Sequence, residues 1–171
     1  MQRRLIGVQS AALAAALCCL TGPAAAVVPR GPAKFSGTES ALKINGFTAK
    51  LGFSVASSRK AIKGFRFESL GCLGAGGFRP GVNPFSTVKV GQAIAVAPGS
   101  GSFSSKPVTL SPDPVASKVK GAKLVVRVSG SFIKPKLARG TVKIHESIPA
   151  PAAPGGQVTC DGTWAYSAKA H

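Results

Sequence analysis

Hydrophobic and polar residues alternate along several short segments of the chain, a period that predicts β-strands with one buried face. In segment 123–132, five apolar or glycine positions share one face: Leu124, Val126, Val128, Gly130 and Phe132. In segment 158–168, every second residue again falls on one side, and that side carries Cys160, Gly162, Trp164, Tyr166 and Ala168. Both segments are therefore predicted to be long strands.

Shorter alternating segments complete the predicted fold. Segments 51–55 and 62–70 flank the turn at 57–60 and form a predicted β-hairpin. Further short strands are predicted at 87–90, 93–96, 101–104 and 140–146. No segment after the first 26 residues shows a helical apolar period. The pattern predicts an all-β domain of about eight strands, either a single antiparallel β-sandwich or a β-barrel.

The first 26 residues have the composition of a cleaved secretory signal peptide. Two arginines precede an apolar run over 5–20, and the small residues Ala24-Ala25-Ala26 follow the helix-breaking Gly22-Pro23. An uncleaved membrane anchor is disfavoured because Gln9 and Ser10 interrupt the apolar run. We therefore expect a signal peptide at 1–26, an extended tail at 27–33, a β domain at 34–171, a secreted protein and no transmembrane segment in the mature chain.

Two cysteines, Cys72 and Cys160, remain after the predicted cleavage. In a secreted chain an even pair predicts a disulfide, and here it would join positions 88 residues apart. A metal site is the alternative, but the two histidines, His145 and His171, are not at metal-ligand spacing from either cysteine. We expect the disulfide, with no metal and no cofactor.

Charge adds the main functional indication. The chain has 22 Lys and Arg against 5 Asp and Glu, and loss of Arg3 and Arg4 with the leader reduces the net charge from +17 to +15. Such a field attracts polyanions, which for a secreted protein include anionic cell-wall polymers and acidic polysaccharides. The alternative is that cations on outward strand positions only maintain solubility and protect sheet edges. Specific nucleic-acid binding is not expected, since the phenylalanines occupy predicted core positions rather than exposed stacking positions.

Three long connections are candidates for a binding role. They are rich in Gly or Pro and cover 73–84, 105–121 and 148–156. Loops on a β scaffold often carry binding sites, but these segments would serve equally as spacers.

Catalytic motifs are sparse. The best enzymatic hypothesis is a carboxylate pair of Glu68 and Asp161, each close in sequence to a cysteine of the predicted disulfide, acting as a hydrolase. No Gly-x-Ser-x-Gly motif is present, and the glycine-rich segment 71–77 lacks the Lys-Ser or Lys-Thr ending of a phosphate-binding loop. We therefore expect a protein that is not an enzyme.

Short motifs along the chain resemble those of small secreted actinobacterial-type proteins of unassigned activity. The motifs are Phe35-Ser36-Gly37-Thr38, Phe53-x-Val55, Phe65-x-Phe67 before Cys72, Gly101-Ser102-Phe103, Ser129-Gly130-Ser131-Phe132, Arg139-Gly140-Thr141-Val142, and Cys160 with Gly162 and Trp164. The resemblance implies a secreted all-β domain with one disulfide, and it implies no catalytic residues.

Taken together, these features favour a secreted, non-enzymatic binding or envelope-associated protein that engages extracellular or cell-surface material through its basic surface and loops. Two alternatives fit the same features. One is a carrier with a barrel interior for a small apolar ligand, and the other is the hydrolase described above. The sequence does not predict the oligomeric state.

Overall fold

The structure, a computed structural model, describes residues 27–39, 49–68, 87–111 and 120–171. The predicted signal peptide at 1–26 and Cys72 lie outside these residues, as does the glycine-rich connection at 73–84.

Strands form 66% of the described chain, and no α-helix is present in it. Their bounds are β1 Ala33–Glu39, β2 Lys50–Val55, β3 Ala61–Glu68, β4 Thr87–Val90, β5 Ile94–Ala95, β6 Ser102–Ser104, β7 Val108–Leu110, β8 Lys123–Lys134, β9 Leu137–Pro149 and β10 Gln157–Ala170. A 3₁₀ turn, Pro154–Gly156, precedes β10. The prediction of an all-β fold is confirmed.

All strand pairs are antiparallel and belong to one sheet that curls into a half-barrel. Its order is β4-β3-β2-β1-β10-β9-β8-β6. β4 and β5 both pair with β3, and β6 and β7 both pair with β8, so each of these couples occupies one strand position. The sheet therefore has eight strand positions. Apart from β5 and β6, at its two ends, strands that follow one another in sequence share a position or are neighbours in the sheet, and the last strand, β10, pairs with the first, β1.

The two ends of the curled sheet meet at one place. Val96, which follows β5, forms a bridge with Phe103 of β6, and the side-chain amide of Gln92 donates a hydrogen bond to the carbonyl oxygen of Lys106. Between described residues, neither β4 nor β7 has a second strand partner. The sheet therefore closes near the β5–β6 turn and opens towards β4 and β7.

Aromatic rings fill the described interior of the curl. Phe53 of β2 stacks on Phe35 of β1 at a centroid distance of 4.9 Å and on Phe65 of β3 at 5.6 Å. Phe65 in turn meets Tyr166 of β10 edge-on at 5.7 Å, so the rings span the interior. Burial of such rings is a major source of stability for a small β domain.

A β-bulge in β3 places its apolar residues inward. Gly52 pairs with Arg66, whereas Ser54 pairs with Lys63, so one extra residue is inserted in β3. Gly64, with a φ of +60°, accommodates the insertion. Ile62 and Phe65 are consequently both buried although they are three residues apart.

Two strands were not predicted. β1 carries Gly37 at an inward position and follows a proline-containing tail, so its alternation is weak. β7 has three residues and lies within the connection 105–121 that was predicted to be a loop. Tertiary pairing, with β2 and β10 for β1 and with β8 for β7, makes these segments strands.

Candidate functional site

Five strands place one row of residues side by side on the outer surface of the sheet. Register pairs link Lys169 to Ser36, Ser36 to Gly52, Gly52 to Arg66, and Arg66 to Lys89. The row therefore runs across β10, β1, β2, β3 and β4 with a cation at each end and a third next to Gly52. All except Gly52 are exposed.

The middle of this row is a depression, which we call the Gly52 hollow. Two adjoining cavities of about 560 and 330 Å³ share Ser36, Leu51 and Arg66 in their walls. The smaller cavity lies where Gly52 has no side chain and its neighbours Ser36 and Ser54 have short ones. The Arg66 Nε lies 3.7 Å from the position that a Cβ on Gly52 would occupy, so the guanidinium group lies over the glycine.

Positive charge dominates the rim of the hollow. Lys50 and Lys34 line it on β2 and β1, and Arg66 lies at its centre. Glu68 is the one carboxylate in its described walls, and its Oε2 accepts a hydrogen bond from the backbone N–H of Lys50 at 3.0 Å. No Lys or Arg forms an ion pair with a carboxylate within the described ranges.

Hydroxyl and imidazole groups lie among these cations. Ser36 Oγ and His171 Nδ1 are 3.3 Å apart, and Thr38 and Ser54 contribute further hydroxyls to the walls. A guanidinium group binds carboxylate, sulfate or phosphate oxygens through paired N–H donors, whereas lysines add point charges and hydroxyls donate single hydrogen bonds. The arrangement can therefore hold an anionic group together with neighbouring sugar hydroxyls.

A second group of cations lies on the outer surface of β8 and β9. Arg127 pairs directly with Lys143, and both side chains are exposed. Lys123 and Arg139 lie further along the same two strands, also exposed. Like charges directly opposite each other are unfavourable in a sheet, and no carboxylate among the described residues forms an ion pair with either Arg127 or Lys143.

The two carboxylates of the hydrolase hypothesis have separate partners. Glu68 on β3 bonds to the backbone of Lys50, whereas Asp161 Oδ1 on β10 lies 2.9 Å from Nδ1 of His145. Strands β2 and β1 lie between β3 and β10, which separates these backbones by roughly 14 Å. The structure does not bring Glu68 and Asp161 together, and the His145–Asp161 pair is exposed, with 49% and 82% of the side chains accessible.

Two other carboxylates, which were not singled out from the sequence, are buried. Glu39 ends β1 and is only 7% exposed, and Glu146 on β9 is 2% exposed. Burial, reinforced by the charge of Glu68, raises the pKa of Glu39 from 4.5 to about 7. The alternation predicts these positions, because Glu39 follows Phe35 and Gly37 on one face and Glu146 follows Val142 and Ile144.

The predicted disulfide stays a prediction. Cys160 is half-buried on β10, opposite Glu146 on β9, and Cys72 lies outside the described residues. Within the part of the chain that the structure describes, no group of three His, Cys, Asp or Glu residues is arranged to hold a metal ion.

The sequence shows the excess of cations but not the hollow. The signal that could have indicated the hollow is a glycine at an outward position of a strand, Gly52. Only the strand register shows that Ser36 and Arg66 are its neighbours on the adjacent strands. The aromatic residues of the described chain are buried and in contact with one another, which counts against an apolar ligand in that part of the interior.

Comparison with known proteins gives no relative from which a function could be transferred: no family model, curated protein or solved structure matches this chain. The resemblance to secreted actinobacterial-type proteins therefore stays a prediction. In the described ranges, no helix has the length and apolar character needed to cross a membrane.

Proposed function

We propose that the protein is a secreted, non-enzymatic binding protein that holds anionic extracellular polymers, such as cell-wall polymers or acidic polysaccharides, in the Gly52 hollow. The observation that carries the proposal is the position of Arg66. It lies over a glycine floor, between Ser36 and Lys89 in register and beside Lys50, without an ion pair to any described carboxylate. The proposal includes secretion through the leader at 1–26 and a Cys72–Cys160 disulfide.

The positions of the acidic residues support a role of the basic surface in binding polyanions rather than in solubility alone. Of the chain's few acids, Glu39 and Glu146 are buried, and Asp161 is engaged by His145. The basic surface therefore has few internal counter-charges among the described residues. A bound polyanion would reduce this repulsion, because it supplies the missing negative charge.

The hollow offers an anionic ligand several charged and hydroxyl groups. Its walls combine cations, hydroxyls and backbone with the apolar Leu51. The aromatic residues among its lining, Phe35, Phe53 and Phe67, are buried. Bases of a nucleic acid would find no exposed Phe, Tyr or Trp ring to stack on among the described residues. A polysaccharide or wall polymer with sulfate, phosphate or carboxylate groups fits this set of donors better.

Retention on immobilised dextran sulfate, with neutral dextran as the reference, tests the proposal. We expect the secreted protein to bind dextran sulfate at low salt, to elute as salt screens the charges, and to pass through neutral dextran. Absence of binding at low salt, or retention that does not change with salt, would contradict the charge mechanism.

Substitutions in the hollow test the site itself. Arg66→Gln removes its central charge, and Gly52→Thr fills its floor without changing the net charge. A Cβ on Gly52 has its nearest neighbours, Phe35 O and Arg66 Nε, at 3.4 and 3.7 Å, which are ordinary contacts, so the fold should tolerate the threonine. We expect both variants to bind a short sulfated oligosaccharide more weakly, whereas the control Arg59→Gln in the β2–β3 turn should not. Equal weakening by all three substitutions would show that binding depends on the overall charge of the protein and not on the hollow.

A further inference from the structure

We infer that the Gly52 hollow is one end of an oblique cationic track that takes a single long, linear polyanion. The inference rests on the proposed function and specifies the shape and length of the ligand. The track consists of Arg66, Lys169, Arg139, Lys143 and Arg127, all exposed.

Its first part crosses the strands. Arg66 connects through Gly52 and Ser36 to Lys169, which is three strand spacings or roughly 14 Å. The residues between the two cations are a glycine and a serine, so no bulky side chain blocks a chain lying across this part of the sheet.

The second part turns along β9. Lys169 pairs with Leu137, and Arg139 lies two residues further along β9, a diagonal step of about 8 Å. Lys143 follows four residues later, about 13 Å along the strand, with Thr141 between them on the same face. Hydroxyls of Ser167 and Thr141 lie beside these cations.

The track ends at the like-charged pair. Arg127 and Lys143 are in direct register on β8 and β9, an arrangement that costs stability in the free protein. An anionic group above them would be attracted by both side chains. The outward acids do not interrupt the track, because Glu68 bonds to the Lys50 backbone beside its first part and Asp161 contacts His145 beyond its end.

These steps add up to a path of roughly 35 Å from Arg66 to Lys143, which sets the length of ligand that can contact the whole track. A short anionic oligomer can occupy only the hollow. A long chain with repeated anionic groups can contact the hollow and the Arg127–Lys143 pair at once, and the second contact then occurs within an already bound complex.

Titration calorimetry with two size fractions of dextran sulfate tests the track, one no longer than the hollow and one longer than the whole path. The variant Arg127→Gln/Lys143→Gln keeps the hollow intact, and Lys106→Gln/Lys120→Gln is a control with the same charge change at exposed positions outside the track. We expect the first variant to bind the long fraction about tenfold more weakly than the control does, and the short fraction as the control does.

Three results would overturn the track: equal losses for both fractions, no loss for the long fraction relative to the control, or two long chains bound to one protein with turbidity from cross-linking. Absence of binding by the short and long fractions to the unmodified protein would instead overturn the proposed function. Thermal unfolding of each variant shows whether it is folded. Because Arg127→Gln/Lys143→Gln removes a like-charge pair, we expect that variant to lose no stability.

Discussion

The Tyr166 hydroxyl on β10 donates a hydrogen bond of 3.3 Å to the carbonyl oxygen of Ser129 on β8, and the bond passes over the strand between them, β9. Room for it comes from a pair of glycines in register, Gly130 on β8 and Gly140 on β9. A Cβ on either glycine would lie 2.6 Å from the hydroxyl oxygen. The three strands are thus fixed together inside the curl by one aromatic side chain over two glycines.

The Gly140→Ala substitution should destabilise the protein by about 2–4 kcal/mol. The added Cβ would overlap the Ser129 carbonyl oxygen and lie 2.7 Å from the Gly130 Cα, and backbone atoms on a central strand cannot move away easily. Urea unfolding monitored by circular dichroism measures the change. Gly91→Ala is the matched control, because a Cβ there has no neighbour within 4 Å. Similar stability of the two variants would contradict the proposed packing.

The Tyr166→Phe substitution isolates the hydrogen bond from the ring packing. The ring contacts with Phe65 remain, so we expect a loss of about 1 kcal/mol, much less than for Gly140→Ala. Burial raises the pKa of the Tyr166 phenol, and we therefore expect its absorbance at alkaline pH to change only when the protein unfolds. Titration of Tyr166, the only tyrosine, at its ordinary pH in the folded protein would refute its burial.

Glu39 makes stability depend on pH near neutrality. Its pKa is raised from 4.5 to about 7, first by burial and then by Glu68, and its Oε1 accepts no hydrogen bond from any described residue. Between these two pH values the folded state retains a proton that the unfolded state has lost. Stability therefore falls as pH rises from 4.5 to about 7 and levels off above, where both states are ionised.

The Glu39→Gln substitution should remove this slope. Above pH 7 we expect the variant to be more stable than the unmodified protein by up to about 3 kcal/mol, and below pH 4.5 the two should be similar. Denaturant unfolding across this pH range provides the measurement. Glu68→Gln should keep most of the slope, since burial is the larger cause. An unchanged slope in Glu39→Gln would assign the dependence to another group.

The predicted Cys72–Cys160 disulfide is tested by the intact mass of the protein, expressed with residues 1–26, before and after reduction. We expect the mass of a chain beginning after the leader and a gain of two hydrogens on reduction. The chain-entropy model for a loop of 88 positions gives a loss of about 4–5 kcal/mol on reduction, as an upper figure. Two thiols that react with an alkylating reagent before reduction would exclude the bond.

Where alternation is strong, it was enough to predict the strands and their inward faces. In β8 and β10 every second residue is apolar, and a two-residue period has one physical solution, a strand with one buried face. The same rule placed Trp164 and Tyr166 in the core. The same alternation puts Glu39 and Glu146 on inward faces. Their charge, however, argues for exposure, so their burial was not predicted.

The order of the strands in the sheet, and the neighbours of each residue on its outer surface, depend on tertiary pairing. Whether the sheet forms a sandwich or a curl depends on the pairing of β10 with β1, whose partners are more than 120 residues apart in the chain. The Gly52 hollow likewise requires the register of β1, β2 and β3, including the bulge at Gly64 that sets Arg66 beside Gly52. Local preferences act over a few residues, whereas register is a property of the whole packed sheet, so the candidate site could not be predicted from the sequence alone.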